Sequence, residues 1–344
     1  MYTKFPFTAI VGQDEMKLAL ILNAIDPSIG GLILMGDRGT GKSTAVRSMT
    51  EILPVIEVTL DDPFNSHPSS TKPIGADTYK FTTQTYVPTI FKKPALIELP
   101  LGATEDKVCG SINVEKTLAQ NSKVFEPGLL AKANRGILYI DEVNLLEDHL
   151  VDILLDSAAC GWNTVERDGI SIRHPAQFIL IGSGNPEEGD LRPQLLDRFG
   201  MYSEVNTIKD PELRSLAVEQ RLLFEADPHT FVLDYIQKET ALRDKLARAQ
   251  ALLPQVTLSY DLRTRISQIC SDLNIDGLRG DLVVHKASKA HAAYNSRTVV
   301  RVEDIQVIAD MCLRHRLPKT TVKTLDHATK IHLAFEKIFT TVKQ

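Results

Sequence analysis

Tryptophan occurs once in the 344 residues, aromatics make up 6%, and cysteine appears four times. Cys109, Cys160, Cys270 and Cys312 are widely spaced. No C-x-x-C pair points to zinc, and no dense cysteine framework points to a secreted disulfide scaffold, so buried free thiols are expected. A basic excess is lacking too. The net charge of −5 does not suggest a nucleic-acid binder held by phosphate contacts. No run reaches about 18 apolar residues, which excludes a membrane-spanning helix. The start, Met1-Tyr-Thr-Lys-Phe-Pro-Phe, carries neither a long apolar run nor an Arg/Ser-rich amphipathic pattern, so no signal or transit peptide is expected there. What remains is 43% hydrophobic and 24% charged, a composition of globular chains with room for two sizeable cores.

Against that background one stretch stands out. Leu32–Met35 is a short apolar run that breaks into Gly36-Asp37-Arg38-Gly39-Thr40-Gly41-Lys42-Ser43-Thr44 and then into a helical pattern. This meets G-x-x-x-x-G-K-[ST], with a strand before it and a helix after it. Glycines let backbone N–H groups turn toward α- and β-phosphates. Lys42 reaches the β- and γ-phosphates, and the Ser43 hydroxyl suits Mg²⁺. The expected ligands are therefore ATP and Mg²⁺.

Upstream, residues 9–26 read as a turn followed by an amphipathic helix with Leu18, Ile21, Leu22 and Ile25 on one face. Strands are expected at Leu32–Met35, Val55–Leu60, Ile137–Ile140, Phe178–Ile181 and Tyr202–Ile208. Three of these are nearly all apolar, as in strands buried on both faces of a parallel sheet. Helix-capable segments separate them, so residues 1–210 read as a doubly wound α/β domain. Residues 63–94, rich in Pro, Ser and Thr, read as a mobile surface loop. Asp168-Gly169 between two alternating runs predicts a hairpin over 162–173. Beyond Asp210 strand-like runs nearly vanish. One helical stripe is Leu282, Val283, Lys286, Ala287, Ala290 and Ala293; another is Ile305, Ile308, Ala309 and Cys312. Residues 211–344 are thus expected to form a helical domain, entered through a long charged helix at 229–250.

Two acids end the apolar strand at Asp141-Glu142. With a phosphate loop upstream, Asp141 is placed to hold Mg²⁺ and Glu142 to polarise the attacking water. Asn185, ending another buried strand, suits the γ-phosphate or the lytic water; Asn-Pro is equally a turn signal. Arg198 in Leu195-Leu-Asp-Arg-Phe199 suits a γ-phosphate on a neighbouring subunit, although an Asp-Arg pair is more often a surface ion pair. Arg279 opens a helix in the second domain, where it could touch phosphate or sit in solvent.

In that order, Val11-Gly12-Gln13, the Gly36–Ser43 loop, Asp141-Glu142, Asn185, Arg198 and Arg279 resemble an AAA+ ATPase with a helical lid. Further stretches narrow the likeness: Leu99-Pro-Leu-Gly-Ala-Thr-Glu-Asp106, Phe125-Glu-Pro-Gly-Leu-Leu-Ala-Lys-Ala-Asn134, Asp141-Glu-Val-Asn-Leu-Leu146, Ser157-Ala-Ala-Cys-Gly-Trp-Asn-Thr-Val-Glu166 and Gly182-Ser-Gly-Asn-Pro-Glu-Glu188. Together they closely resemble the ATPase (I) subunit family of magnesium chelatase over nearly the whole chain. Residues 69–94 depart from it by lacking an acidic run.

The resemblance implies a hexameric ring with ATP between subunits. It also implies a second AAA+-like subunit and a large porphyrin-binding subunit as partners, insertion of Mg²⁺ into protoporphyrin IX toward chlorophyll, and no nucleic acid. By motif match, Val11 would join the nucleotide site, Arg198 would act in trans as the arginine finger, and Arg279 would be the lid's sensor arginine. The 95–118 segment would be an insertion on the second helix. Cytoplasmic placement is expected, cyanobacterial or other bacterial, or the chloroplast stroma for a mature plastid form. A MoxR-like remodelling chaperone and a DNA-acting ring ATPase are the competing readings. Against the last, the expected hairpin balances Arg167 and Arg173 with Glu166 and Asp168.

Overall fold

The computed structural model describes residues 3–68, 88–112, 125–167, 170–189, 191–317 and 327–340. Its strands are β1 (Leu32–Met35), β2 (Ile56–Thr59), β3 (Thr89–Lys92), β4 (Leu96–Leu99), β5 (Gly110–Ile112), β6 (Phe125–Pro127), β7 (Ile137–Ile140), β8 (Trp162–Arg167), β9 (Ile170–Pro175), β10 (Ile179–Gly184) and β11 (Met201–Glu204). Five of them form a parallel sheet in the order β11-β1-β10-β7-β4. The sheet is therefore the five-stranded parallel one expected, but its membership differs. Val55–Leu60 supplies β2, which pairs antiparallel with β3 outside the main sheet. The fifth place is taken by β4, inside the stretch read as an insertion beginning near 95. Leu96-Ile-Glu-Leu99 is a short, only partly buried run after a proline, and its apolar signal is too weak to separate from loop sequence.

Strand alternation divides the core. Leu32 and Leu34, Ile137 and Tyr139, and Ile179 and Ile181 face one side, against the helices Asp14–Ile25 and Lys42–Ile52. Ile33, Met35, Leu138, Ile140 and Leu180 face the other, against the helix Asp148–Cys160 and its neighbours. Both faces are dry, which is why these strands read as continuous apolar runs.

The hairpin expected at 162–173 forms as β8 and β9, with Thr164 opposite Arg173; its turn, residues 168–169, lies outside the described residues. A neutral His174 anchors its base. Burial lowers the imidazole pKa, Nδ1 donates to the Pro175 carbonyl at 3.0 Å, and Nε2 accepts from Asn163 at 3.0 Å. Of the loop expected at 63–94, residues 69–87 lie outside the described residues and Thr89–Lys92 instead form the strand β3; the end of the 95–118 segment also lies outside them.

After Glu204 the described chain is helical, including the 25-residue helix Pro228–Leu252 where a long charged helix was expected. Val283, Ala287, Ala290 and Ala293 are buried as the stripe requires, and so are Ile305, Ile308, Ala309 and Cys312; Leu282 is exposed, off the edge of its stripe. These helices share one continuous core with the sheet's first face. Polar contacts fasten them further. Arg243 donates to the Glu51 carbonyl that ends the Lys42–Ile52 helix, Gln250 to Ala24 O at 2.8 Å, and Lys286 to Ser28 O at 2.5 Å. Of the cysteines, Cys109, Cys270 and Cys312 are buried, while Cys160 is exposed, contrary to the buried thiol expected there.

Candidate functional site

Parallel strands all end on one edge, and the site lies there. Gly36 follows β1 where a Cβ would stand 2.2 Å from the Val205 carbonyl, so no larger residue fits. Gly41, with φ +88°, sits in the left-handed region favoured by glycine and starts the Lys42–Ile52 helix. The loop's shape is held from within. Thr40 Oγ1 donates to Asp37 O at 2.9 Å; Lys42 Nζ donates to the same carbonyl at 2.8 Å and to Gly36 O. Partial burial draws the Lys42 ammonium below its ordinary pKa, with Asp141 and Asp37 opposing.

A cavity of about 520 Å³ is lined by Arg38 through Thr44 together with Asp141, Glu142, Ser183, Asn185 and Glu188. Sequence-distant candidates thus converge: the phosphate loop after β1, the acids after β7 and the asparagine after β10. Asp141 is directed toward the loop helix because it shares a β7 face with Tyr139, two residues earlier. Ser43 Oγ lies 3.5 Å from Asp141 Oδ2. Hard oxygen donors of this kind suit Mg²⁺. Glu142, at φ +54°, turns away from that pair into the cavity, with its carboxylate 4.0 Å from Arg38. Arg38 also pairs with Glu188 across the mouth.

Asn185 combines its two readings. Its Oδ1 accepts from Glu187 N at 3.1 Å and caps the turn Pro186–Glu188, while its buried side chain lines the cavity. A neighbouring cavity of about 590 Å³ shares Gly39, Thr40, Gly41 and Thr44, and is walled by Phe5, Ile10, Val11 and Ile208 among others. Val11 therefore joins the loop through this apolar extension. Asp37 lines neither cavity and contributes its backbone carbonyl.

Arg198 and Arg279 are not among the residues lining either cavity. Arg198, at the end of the helix Pro193–Arg198, pairs with Asp152 at 2.9 Å and Asp156 at 3.1 Å. Arg279 donates to Asp197, the residue before Arg198, at 3.0 Å. Asp197 also takes the buried Arg316, which donates to the Phe199 carbonyl at 2.6 Å. The two candidate arginines are thus held by different carboxylates, Arg198 by Asp152 and Asp156 and Arg279 by Asp197, and neither lines the cavity of the phosphate loop in its own chain.

Sequence reasoning missed Tyr139, Ser183 and Glu188. The Tyr139 hydroxyl lies 3.0 Å from Ser43 Oγ, 2.9 Å from Asp141 Oδ1 and 2.8 Å from Ser183 Oγ. Burial pushes this phenol up to about 12. Its i, i+2 spacing from Asp141 was a usable signal. Ser183 had none, because only the β10–β7 pairing sets it beside Asp141.

Comparison with known proteins bears on this arrangement. A family model described as magnesium chelatase, subunit ChlI, matches residues 112–210, and one described as the AAA lid domain matches residues 263–329. The chain is 60% identical over 336 residues to the magnesium-chelatase subunit ChlI of Guillardia theta, covering 97% of this chain and 95% of that protein. With the same-named protein of a Synechocystis species it is 58% identical over 341 residues, 99% and 96% of the two chains. Among solved structures it resembles a chain from a complex between subunits BchI and BchD of magnesium chelatase, built on a cryo-EM reconstruction. That match has 47% identity, a TM-score of 0.55, and coverage of 93% of this chain and 98% of that one. A Cytophaga hutchinsonii protein of known structure shares the fold at 17% identity and a TM-score of 0.62.

Proposed function

This chain belongs to the family of magnesium-chelatase ChlI subunits, the ATP-driven component of a chelatase, and from that premise we propose how its residues act. The observation that carries the reading is the convergence of Lys42, Ser43, Asp141, Glu142 and Asn185 on one cavity that neither Arg198 nor Arg279 lines. Backbone N–H groups of Gly36–Thr44 hold the phosphates of ATP, and Lys42 leaves its loop carbonyls to reach the β- and γ-phosphates. The apolar wall with Val11 takes the base. Ser43 and Asp141 would hold Mg²⁺, which would supply positive charge against the phosphates. Glu142 orients the attacking water and accepts its proton. The Asn185 amide, whose oxygen is committed to the turn, directs its Nδ2 donors to the γ-phosphate or that water.

Arg198 and Arg279 serve the site of a neighbouring copy, which makes a ring, most simply a hexamer, the active form. Their present partners are partly exposed carboxylates, and such ion pairs are worth at most about 1 kcal/mol, so transfer to a phosphate costs little. The motion produced is delivered to a second AAA+-like subunit and to a large porphyrin-binding subunit, where Mg²⁺ enters protoporphyrin IX. The BchI–BchD complex supports the first partner. Cyanobacterial and algal relatives support a cytoplasmic or stromal setting. No helix among the described residues is long and apolar enough to cross a membrane.

Mixing subunits tests the trans assignment. Arg198→Ala and Glu142→Gln chains, each inactive alone, are expected to regain part of the ATPase activity when combined, because some interfaces then pair an intact Glu142 with an intact Arg198. No recovery at any ratio rejects it. Reconstitution with the two partner subunits, protoporphyrin and MgATP, followed by absorbance of the magnesium porphyrin, tests the activity itself.

A further inference from the structure

A hydroxyl that ligates a cation does so through a lone pair, so its hydrogen must go to some other acceptor. The Ser43 hydroxyl is directed at Asp141 Oδ2, at 3.5 Å, the limit for a hydrogen bond, and receives the Tyr139 hydroxyl at 3.0 Å. The same phenol lies 2.9 Å from Asp141 Oδ1, and Ser183 donates to that Oδ1 at 2.5 Å. Tyr139 is fully buried and Ser183 nearly so, at 1% exposure, so bulk water is not at hand to replace either donor.

We propose that Tyr139 is a positioning residue for the magnesium ligands: its buried hydroxyl, shared between Ser43 Oγ and Asp141 Oδ1, fixes the spacing of the two groups that would hold the ion. This rests on the reading of Ser43 and Asp141 given above and extends it to a residue that touches neither metal nor nucleotide. The ring of Tyr139 meanwhile packs in the core between sheet and helices, so the alternative is a phenol kept only for packing.

Tyr139→Phe separates the two, since it keeps the ring and removes the hydroxyl. The measurement is binding of Mn²⁺, followed by electron paramagnetic resonance, to the full-length protein carrying a non-hydrolysable ATP analogue. Loss of an outer hydrogen-bonding partner of a metal ligand typically weakens metal affinity 10- to 100-fold. Tyr139→Phe is expected to weaken Mn²⁺ binding by about tenfold, with metal-free analogue affinity and melting temperature nearly unchanged. Adding it to Ser43→Ala should weaken Mn²⁺ binding by less than it does in the parent, because Tyr139 acts partly through that hydroxyl and partly through Asp141. As a second variant, Ser183→Ala keeps the Tyr139 contacts to Ser43 and Asp141 and should lose less affinity than Tyr139→Phe. Equal Mn²⁺ affinity in Tyr139→Phe and the parent, with Ser43→Ala weakened, overturns the proposal alone. Unchanged affinity in Ser43→Ala overturns the assignment of the site beneath it.

Discussion

Lys42 lies across its own loop, bonded to the Gly36 and Asp37 carbonyls. It is therefore a strut for the loop and, in the function proposed above, also the cation that a phosphate recruits. Hydrogen bonds to charged groups contribute about 1.5–3 kcal/mol, so Lys42→Ala should weaken ATP binding by roughly 10- to 100-fold. A fluorescent-nucleotide titration measures this, and an unchanged dissociation constant would reject the assigned loop. Glu142 is the opposite case. Its carboxylate faces the cavity and, among the described residues, holds nothing in the fold beyond a 4.0 Å approach to Arg38. Glu142→Gln should bind ATP normally and hydrolyse it about 10²-fold or more slowly, as expected for loss of a positioned base. Phosphate release under saturating ATP checks the second half, and equilibrium titration the first.

At the scale of elements, the sheet works because alternation assigns each strand residue to one of two dry faces, which carries Tyr139 and Asp141 to the loop side together. In the helical part, a buried carboxylate does comparable work. Asp304, with no exposed surface, accepts from His291 at 2.6 Å, from Arg297, and from the Arg301 backbone at 2.8 Å. It thereby ties the helix Arg279–Tyr294, which begins with the candidate sensor arginine, to the helix Val302–Leu313. Burial alone would raise this carboxyl; the bonds from His291 and Arg297 outweigh it and hold the group well below the usual carboxylate range. A depressed folded pKa gives stability that is complete above the ordinary carboxylate value near 4 and fades as pH falls below it. Breaking a buried ion pair costs about 3–5 kcal/mol. Asp304→Asn should therefore lower the urea midpoint at pH 7 sharply, and the gap from the parent should narrow at pH 3.

For the molecule as a whole, the junction between sheet and helices carries a pH dependence. His315 stacks on Tyr202 and lies 3.1 Å from the Phe199 carbonyl through Nε2. Burial, reinforced by Arg316, pushes its imidazole down to about 3. An unfolded histidine takes up its proton near 6.5, and this one stays neutral when folded. The unfolded state therefore binds more protons below that value, and stability falls as pH drops. The loss from this one group reaches about 2 kcal/mol at pH 5. His315→Asn, which keeps a donor for Phe199, should flatten the change in unfolding free energy between pH 7 and 5. Equal slopes in both proteins would show that His315 titrates normally. At the same scale, turnover per subunit should fall on dilution, since a site that borrows Arg198 from a neighbour exists only in the assembly.

The chain of residues by itself determined the phosphate loop, the paired acids, the asparagine, the hairpin and the passage from α/β to helical structure. Each depends on local spacing: glycine at tight turns, apolar runs for doubly buried strands, a 3.6-residue period for helices. The tertiary structure decided which strands share the sheet. Leu96–Leu99 enters and Val55–Leu60 does not, because membership is settled by partners distant in sequence. The same pairing placed Ser183 beside Asp141, made Tyr139 a hydrogen-bond centre and added Glu188 to the mouth. It also set Arg198 against Asp152 and Asp156 and Arg279 against Asp197, outside the cavity of the loop that would use such charges. Hydrogen bonds and ion pairs act over a few ångströms of space, while spacing along the chain reports only on neighbours within a turn or a strand.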